Sequence, residues 1–354
     1  MPMRILCEAD VERLIEPAAA VAAMRDAYRR HAAGVMPAPG RLDLGRSTPK
    51  GSVLVLAGHG DGASFAMKAN MHVYPDPGSR QRLAASMMLL WDAVRCMPKA
   101  MIATTMFNNH RTAAGLAAAA DALAPARVDR LAVFGAGKIA PAAIRYLGSV
   151  RSFERVDIVG KGSARAAALA DSMRRLPQFS GVDIRASADP EAAAGNADVI
   201  VTVTTSDTPV FPGRAVRDGT LVILAGANRP QAREADDDLI ARATVFADHR
   251  EGCVERAGDL RIPLQSGALT AERIAGEIGS LWQATPPPRP AQHGGVTVFK
   301  SMGVIAQDIA LAELVLARAE ETGIGIEFDP ATGHCLTSQA GQPSAAGVIM
   351  AGAT

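Results

Sequence analysis

Residues 131–140 read LAVFGAGKIA, an apolar stretch running into Gly135-x-Gly137-x-x-Ala140, with Pro141 opening a helix-forming segment. This order of residue types is what a dinucleotide site requires. Gly135 permits a tight turn, Gly137 lets the backbone approach a pyrophosphate, and Ala140 allows helix and strand to pack closely. The N–H groups around Lys138, Ile139 and Ala140 then open a helix, where its dipole favours a phosphate. The choice of dinucleotide is made further on. An NAD site ends its second strand in Asp or Glu, which binds the ribose 2′-hydroxyl. Here VDIVGKGSAR puts Gly160 at that point, followed by Lys161, Ser163 and Arg165, while Asp157 falls earlier, inside the strand. Without a carboxylate there is no repulsion, and cations with a hydroxyl can hold a 2′-phosphate. The alternative is a solvated basic turn. The expectation is NADP(H) in preference to NAD(H).

Three further cations stand out by context: Lys68 inside the apolar SFAMKAN, Arg111 in NNHRTAAG and Arg41 in MPAPGRLDLG. Each could lie on the surface with its stem along apolar groups. If buried, each needs a partner. His72 and His110 lie close by, and sequence leaves their roles open between structure and catalysis.

The elements that position these residues follow from periodicity. Asp10 to about Ala33 predicts a helix stopped by Gly34. Extended segments start at Ser52, Ser64, Ala84 and Lys99, with turn-rich spacers such as Tyr74–Arg80, and predict a mostly antiparallel sheet. After the Ala-rich helix from Arg111, strands at 131–134, 155–159, about 183–185, 199–204, 221–224 and 243–247 alternate with helices. That pattern predicts a doubly wound parallel sheet. The fold class expected is α/β, a Rossmann domain plus a smaller α+β domain. Thr285–Gly295 is Pro-rich and reads as a stiff loop, and VTVFKSMG and the helix after it follow. The division expected is 1–115 with 300–330 for substrate and dimerisation, 116–299 for the nucleotide, and a flexible tail at 331–354.

The 354 residues exceed the size at which one core usually stops growing, and 48% of them are hydrophobic. Lys plus Arg (37) nearly cancel Asp plus Glu (36), and only 4% of residues are aromatic, which argues against a nucleic-acid or membrane surface. Cys7, Cys96, Cys253 and Cys335 are isolated, with no His cluster at metal spacing, so free thiols in a reducing cytoplasm and no metal are expected. The N-terminus meets acidic residues too early to read as a signal peptide.

Taken together these segments resemble the ornithine cyclodeaminase/mu-crystallin family, from about residue 4 to 328. The resemblance rests on the Arg41 segment, Lys68, LLWD ending in Asp92, RTAA from Arg111 and GAG from Gly135. It continues through ADVIVTVTTSDTPVF (197–211), GANRPQAREADDDL (226–239) and TVFKSMGVIAQD (297–308). It implies a homodimer in which Arg41, Lys68 and Arg111 surround the substrate's α-carboxylate. It also implies that Thr112, Thr204, Thr205 and Ser206 border the cofactor. Ile139 departs from the Gln many members carry. VGKGS looks like the segment of NADPH-binding members, with Lys161 at the Arg position.

Asn228 stands where cyclodeaminase members carry an Asp for the substrate amine and proton transfers. An amide hydrogen-bonds but takes no proton, and losing a positioned acid–base group costs about 10²–10⁴-fold. Asp236, Asp237 and Asp238 read as charges opening a helix. GANRPQAREADDDL is closer to the ketimine reductase branch. The resulting expectation is an NADPH-dependent reductase of Δ1-pyrroline-2-carboxylate or Δ1-piperideine-2-carboxylate, in proline and related amino-acid metabolism. In it Lys68 and Asn228 are the catalytic groups and Lys68 is the candidate proton source. The alternatives are an ornithine cyclodeaminase-type lyase, an amino-acid dehydrogenase, or a non-catalytic NADPH and small-acid binder.

Overall fold

The computed structural model describes residues 2–47, 50–62, 64–76, 83–283 and 295–336. The chain opens with β1 (Met3–Leu6), α1 (Glu8–Leu14) and α2 (Pro17–Ala32). The single helix expected over 10–33 is therefore two. Pro17 disfavours helical geometry in the residue before it, and Glu16 is extended (φ −108°, ψ 129°). Its carboxylate instead caps α2, accepting from the N–H groups of Ala18 and Ala19.

Next come β2 (Leu42–Ser47), β3 (Lys50–His59), β4 (Ser64–Val73), β5 (Leu83–Asp92) and β6 (Met97–Ala103). β2 to β6 are antiparallel neighbours, as expected from the alternation. β1 joins β6 in parallel. Asp92 closes the β5–β6 turn by accepting from the N–H groups of Val94 and Arg95.

Strand alternation gives this sheet two unlike faces. Ser64, Ala66 and Lys68 of β4 are buried, and Phe65, Met67, Ala69 and Met71 are exposed. The register extends that outer face into apolar rows, Leu42–Val55–Ala69–Met87 and Leu44–Val53–Met71–Ala85.

The Ala-rich α3 (Phe107–Leu123) leads into the second sheet. Its strands are β7 (Arg130–Phe134), β8 (Arg155–Val159), β9 (Asp183–Ser187), β10 (Val199–Thr202), β11 (Leu221–Leu224), β12 (Ala243–Ala247), β13 (Ile274–Glu277) and β14 (Val296–Lys300). Between them lie α4 (Ala140–Val150), α5 (Ser163–Arg174), α6 (Pro190–Asn196), α7 (Asp237–Ile240), α8 (Arg250–Arg256) and α9 (Gly258–Ser266). The order is β13-β12-β14-β11-β10-β7-β8-β9, all parallel. The order reverses at β7 and β10, which is where such sheets bind ligands, beyond their carboxyl ends.

α10 (Ile305–Thr322) returns to the first sheet, followed by β15 (Ile326–Asp329) and β16 (His334–Leu336) on its β1 edge. The flexible-tail expectation thus fails at its start. β16 pairs with β15 in register, Phe328 opposite Cys335, as the edge strand of the sheet. Residues 337–354, and most of the Pro-rich loop at 285–295, lie outside the described residues. Among the described residues no helix is long and apolar enough to cross a membrane.

Candidate functional site

The crevice at the sheet's switch point is lined by glycine for a geometric reason. Gly135 has φ +114°, and a Cβ there would lie 2.8 Å from the carbonyl oxygen of Val203 at the end of β10. Its N–H donates to Val159, at the end of β8, at 2.8 Å. Nothing lies within 4 Å of a Cβ placed on Gly137, and no side chain caps the N-terminus of α4. An open glycine in front of an uncapped helix start fits a dinucleotide pyrophosphate. Lys138 is exposed, Ile139 half-buried, and Ala140 buried under the turn.

Lys161, Ser163 and Arg165 are exposed beyond β8, where Ser163 opens α5 behind the Gly162 cap. Asp157 is buried within the strand and bonded to Arg185 at 2.7 Å. It is therefore committed inside the sheet and no rival for the ribose.

The loops after β10 and β11 are organised by a group that the sequence did not reveal. Glu234, fully buried, accepts from the hydroxyls of Thr202 and Thr204 and from the N–H groups of Thr204, Gly226 and Ala227, at 2.6–3.1 Å. A Cβ on Gly226 would lie 2.4 Å from the Glu234 carboxylate, so glycine lets the strand ends close on it. Asp259 holds the Glu234 N–H and pairs with buried Lys300, which also donates to the Ala227 carbonyl. Burial opposes the charge of Lys300, but Asp259 and Glu234 outweigh it and keep its pKa above the ordinary lysine value. Thr205 and Ser206 follow on the same loop, exposed and half-buried. Asn228 is exposed just beyond Ala227, and no hydrogen bond ties it to Lys68, Arg41 or Arg111 among the described residues. Asp236 caps α7 through the Leu239 N–H, the helix-opening role expected of 236–238.

Lys68 and Arg111 do come together. Lys68, 2% exposed, donates to Asp308 of α10 at 2.6 Å and to the Asn108 side-chain oxygen of α3. Arg111 Nε is 3.3 Å from the same Asp308 oxygen but makes no hydrogen bond there, and Nη1 donates to Gln307 at 3.4 Å. Lys68, expected beside a substrate carboxylate, already has a carboxylate partner within the protein. A buried ammonium needs a charge partner, and the partner lies in α10, far along the sequence. Burial and Arg111 push the Lys68 pKa below the lysine range, and Asp308 opposes them. Thr112 is half-buried next to Arg111 on α3. His110 is a clamp outside this cluster, bonded to Tyr146 and Glu12. His72 packs edge-on against Tyr74.

Arg41 lines a small cleft of about 30 Å³ together with Leu56, His249, Arg256 and the 302–305 turn. Buried Asp248 builds that turn by accepting from Ser301 Oγ and the N–H groups of Met302 and Gly303. Burial, then Arg256, draw the Arg41 pKa down. Among the described residues, the fold gathers one group with the geometry to hold a metal ion. His31, His249 and Glu277 place ligand atoms within 4.8 Å of one another from three separate segments. Spacing along the chain could not show this. Asp308, Glu234 and Arg256 were equally hidden, although Asp308 sits in a segment that carried the resemblance.

Comparison with known proteins agrees with this architecture. The sequence model of the ornithine cyclodeaminase/mu-crystallin family matches residues 2–323. A Δ1-pyrroline-2-carboxylate reductase of Paracoccus denitrificans is 32% identical over 229 residues, 64% of this chain and 71% of that protein. Rat ketimine reductase mu-crystallin is 32% identical over 228 residues, covering 64% and 67%. The structure of Thermococcus litoralis Δ1-pyrroline-2-carboxylate reductase in complex with NADH and L-proline has a TM-score of 0.84. It is 24% identical and covers 91% of this chain and 99% of that one, a likeness of fold.

Asp308→Asn leaves Lys68 buried without its carboxylate and should cost about 3–5 kcal/mol of stability. Lys68→Met combined with Asp308→Asn should cost clearly less than the sum of the two single changes. Urea unfolding of the four proteins measures this, and strict additivity would remove the pair from the account.

Proposed function

The chain belongs to the ornithine cyclodeaminase/mu-crystallin family, and we propose that it is an NAD(P)H-dependent oxidoreductase reducing the C=N bond of a cyclic ketimine carboxylate. Δ1-pyrroline-2-carboxylate and Δ1-piperideine-2-carboxylate are the first candidates. The observation that carries this reading is the Lys68–Arg111 pair. Asp308 balances only one of its two charges, and Arg111 Nε is buried with no hydrogen bond. An anionic group is what such a site lacks.

A bound reduced nicotinamide supplies hydride to the ketimine carbon. Arg111 and Arg41 hold the carboxylate beside that carbon and fix its approach. Lys68 neutralises the anion, and its lowered pKa suits it to give a proton to the nitrogen. Asn228 hydrogen-bonds but cannot take a proton, which weighs against deamination of an amino acid such as ornithine. Lys161, Ser163 and Arg165 read the 2′-phosphate, with no acid at Gly160 to oppose it, which favours NADPH. In this reading 1–115 with 300–330 forms the substrate side and 116–299 the nucleotide side. The outer rows of the first sheet, with Met67 and Met71 42% and 50% exposed, are the face on which a second copy packs.

Absorbance at 340 nm with Δ1-pyrroline-2-carboxylate should fall quickly with NADPH and slowly with NADH, and ornithine plus NAD should release no ammonia. Ammonia and proline from ornithine would instead establish the lyase. Lys161→Ala should raise the KM for NADPH roughly tenfold or more, the size of one lost charge-assisted bond, and leave NADH unchanged. In sedimentation, the wild type should be a dimer and the Met67→Asp/Met71→Asp double variant a monomer with unchanged circular dichroism. A monomeric wild type would refute the interface.

A further inference from the structure

The site holds more positive charge than one carboxylate accounts for. Lys68 and Arg111 share Asp308, and a substrate α-carboxylate completes that group. Arg41 reaches that carboxylate from the far side, and Arg256 beside it remains. Both line the cleft beside His249. Among the described residues Arg41 has no carboxylate within 4 Å, and Asp43 attracts it only from farther away. Arg256 Nε is buried with no hydrogen bond, and its nearest carboxylate oxygen, on the largely exposed Glu255, is 3.9 Å from Nη1. Two guanidinium groups facing one cleft without an acid between them raise each other's cost of charge. An anion between them relieves it.

The cleft is continuous with the first cation group. Leu56 on its wall is the cross-strand partner of Lys68, which puts their Cβ atoms about 5 Å apart. Gly303 lines the cleft on one side and packs on Arg111 on the other, where a Cβ would lie 2.5 Å from Nη1. Arg256 also has room made for it. Its Nη2 would be 2.8 Å from a Cβ at Gly252, the same distance as His249 Nδ1.

We propose that Arg256 holds a second carboxylate, with Arg41 between it and the first, so that the preferred substrate is an α-imino dicarboxylic acid. This rests on the reaction assigned above and narrows its substrate. Lys68 and Arg111 take the carboxylate beside the C=N carbon, Arg256 takes the distal one, and Arg41 lies between the two. A monocarboxylic ketimine still fits but leaves Arg256 uncompensated.

The test compares iminosuccinate, formed in solution from oxaloacetate and ammonium, with Δ1-pyrroline-2-carboxylate under NADPH. Calorimetric titration of the enzyme–NADP+ complex with L-aspartate and with L-proline runs beside it. The wild type should show at least tenfold higher kcat/KM on iminosuccinate. Arg256→Gln should raise the KM for iminosuccinate ten- to hundredfold, the loss of a charged hydrogen-bonding partner. It should leave Δ1-pyrroline-2-carboxylate within about twofold, and Arg256→Lys should recover part of the loss. L-aspartate should bind the wild type more tightly than the Gln variant, with L-proline indifferent to the change. A Gln variant that loses both substrates equally would make Arg256 part of the first carboxylate site and overturn the proposal. So would a wild type that prefers the monocarboxylic imine. If neither imine is reduced, the reaction itself falls. The L-aspartate titration then decides the subsite alone, for it if binding depends on Arg256 and against it if not.

Discussion

A lysine ammonium at the centre of a strand, 2% exposed, could not remain charged without a carboxylate against it. The Lys68–Asp308 contact meets that need, and much of the architecture is arranged around it. It ties β4 to α10 across 240 residues, and Asn108 brings the start of α3 to the same ammonium. Arg111, one turn further along α3, reaches the same carboxylate. Three elements from distant parts of the sequence thus converge on one acid, which balances only part of the charge brought to it. In the proposed function, the remainder is what draws the substrate carboxylate.

A second buried frame holds the nucleotide side in place. Glu234 gathers the ends of β10 and β11, and Asp259 links it to Lys300 at the end of β14. The adjoining Asp248 shapes the turn from β14 into α10. That turn packs on Arg111, so the two frames meet at Gly303. Each acid is saturated by N–H, hydroxyl or ammonium donors, which is how buried charges are tolerated. The crevice lies at the ends of β7, β8 and β10, and the cation cluster where β4, α3 and α10 meet.

Much of the fold was legible in the sequence because local patterns dictate it. Alternation in 52–103 and the strand–helix rhythm after 131 gave both sheets. Gly135 marked the crevice because a Cβ there would meet the Val203 carbonyl, Gly137 because it leaves the start of α4 open, and Ala140 because it is buried under the turn. Short strands were missed: β1, β13 and β16 have three or four residues each, too few to show a period. The break at Glu16 was hidden by apolar spacing continuing across Pro17. In the site, Lys68 and Arg111 were visible as cations in apolar or junction contexts. Their partner Asp308 was not, since only the fold brings α10 beside β4. Arg256 looked like any polar residue on a short helix, and its aim into the cleft is a property of tertiary packing.

The central claim is that the cation cluster holds a carboxylate so that hydride reaches the carbon beside it. Its most direct test is the fate of the transferred hydrogen. The enzyme would be given Δ1-pyrroline-2-carboxylate and NADPH deuterated at the transferable C4 position of the nicotinamide, and the proline analysed by NMR and mass spectrometry. The account predicts one deuterium, on the carbon bearing the carboxylate, and the same outcome at a much lower rate with Arg111→Met. Proline without deuterium, label at another carbon, or no conversion with cofactor bound would contradict it.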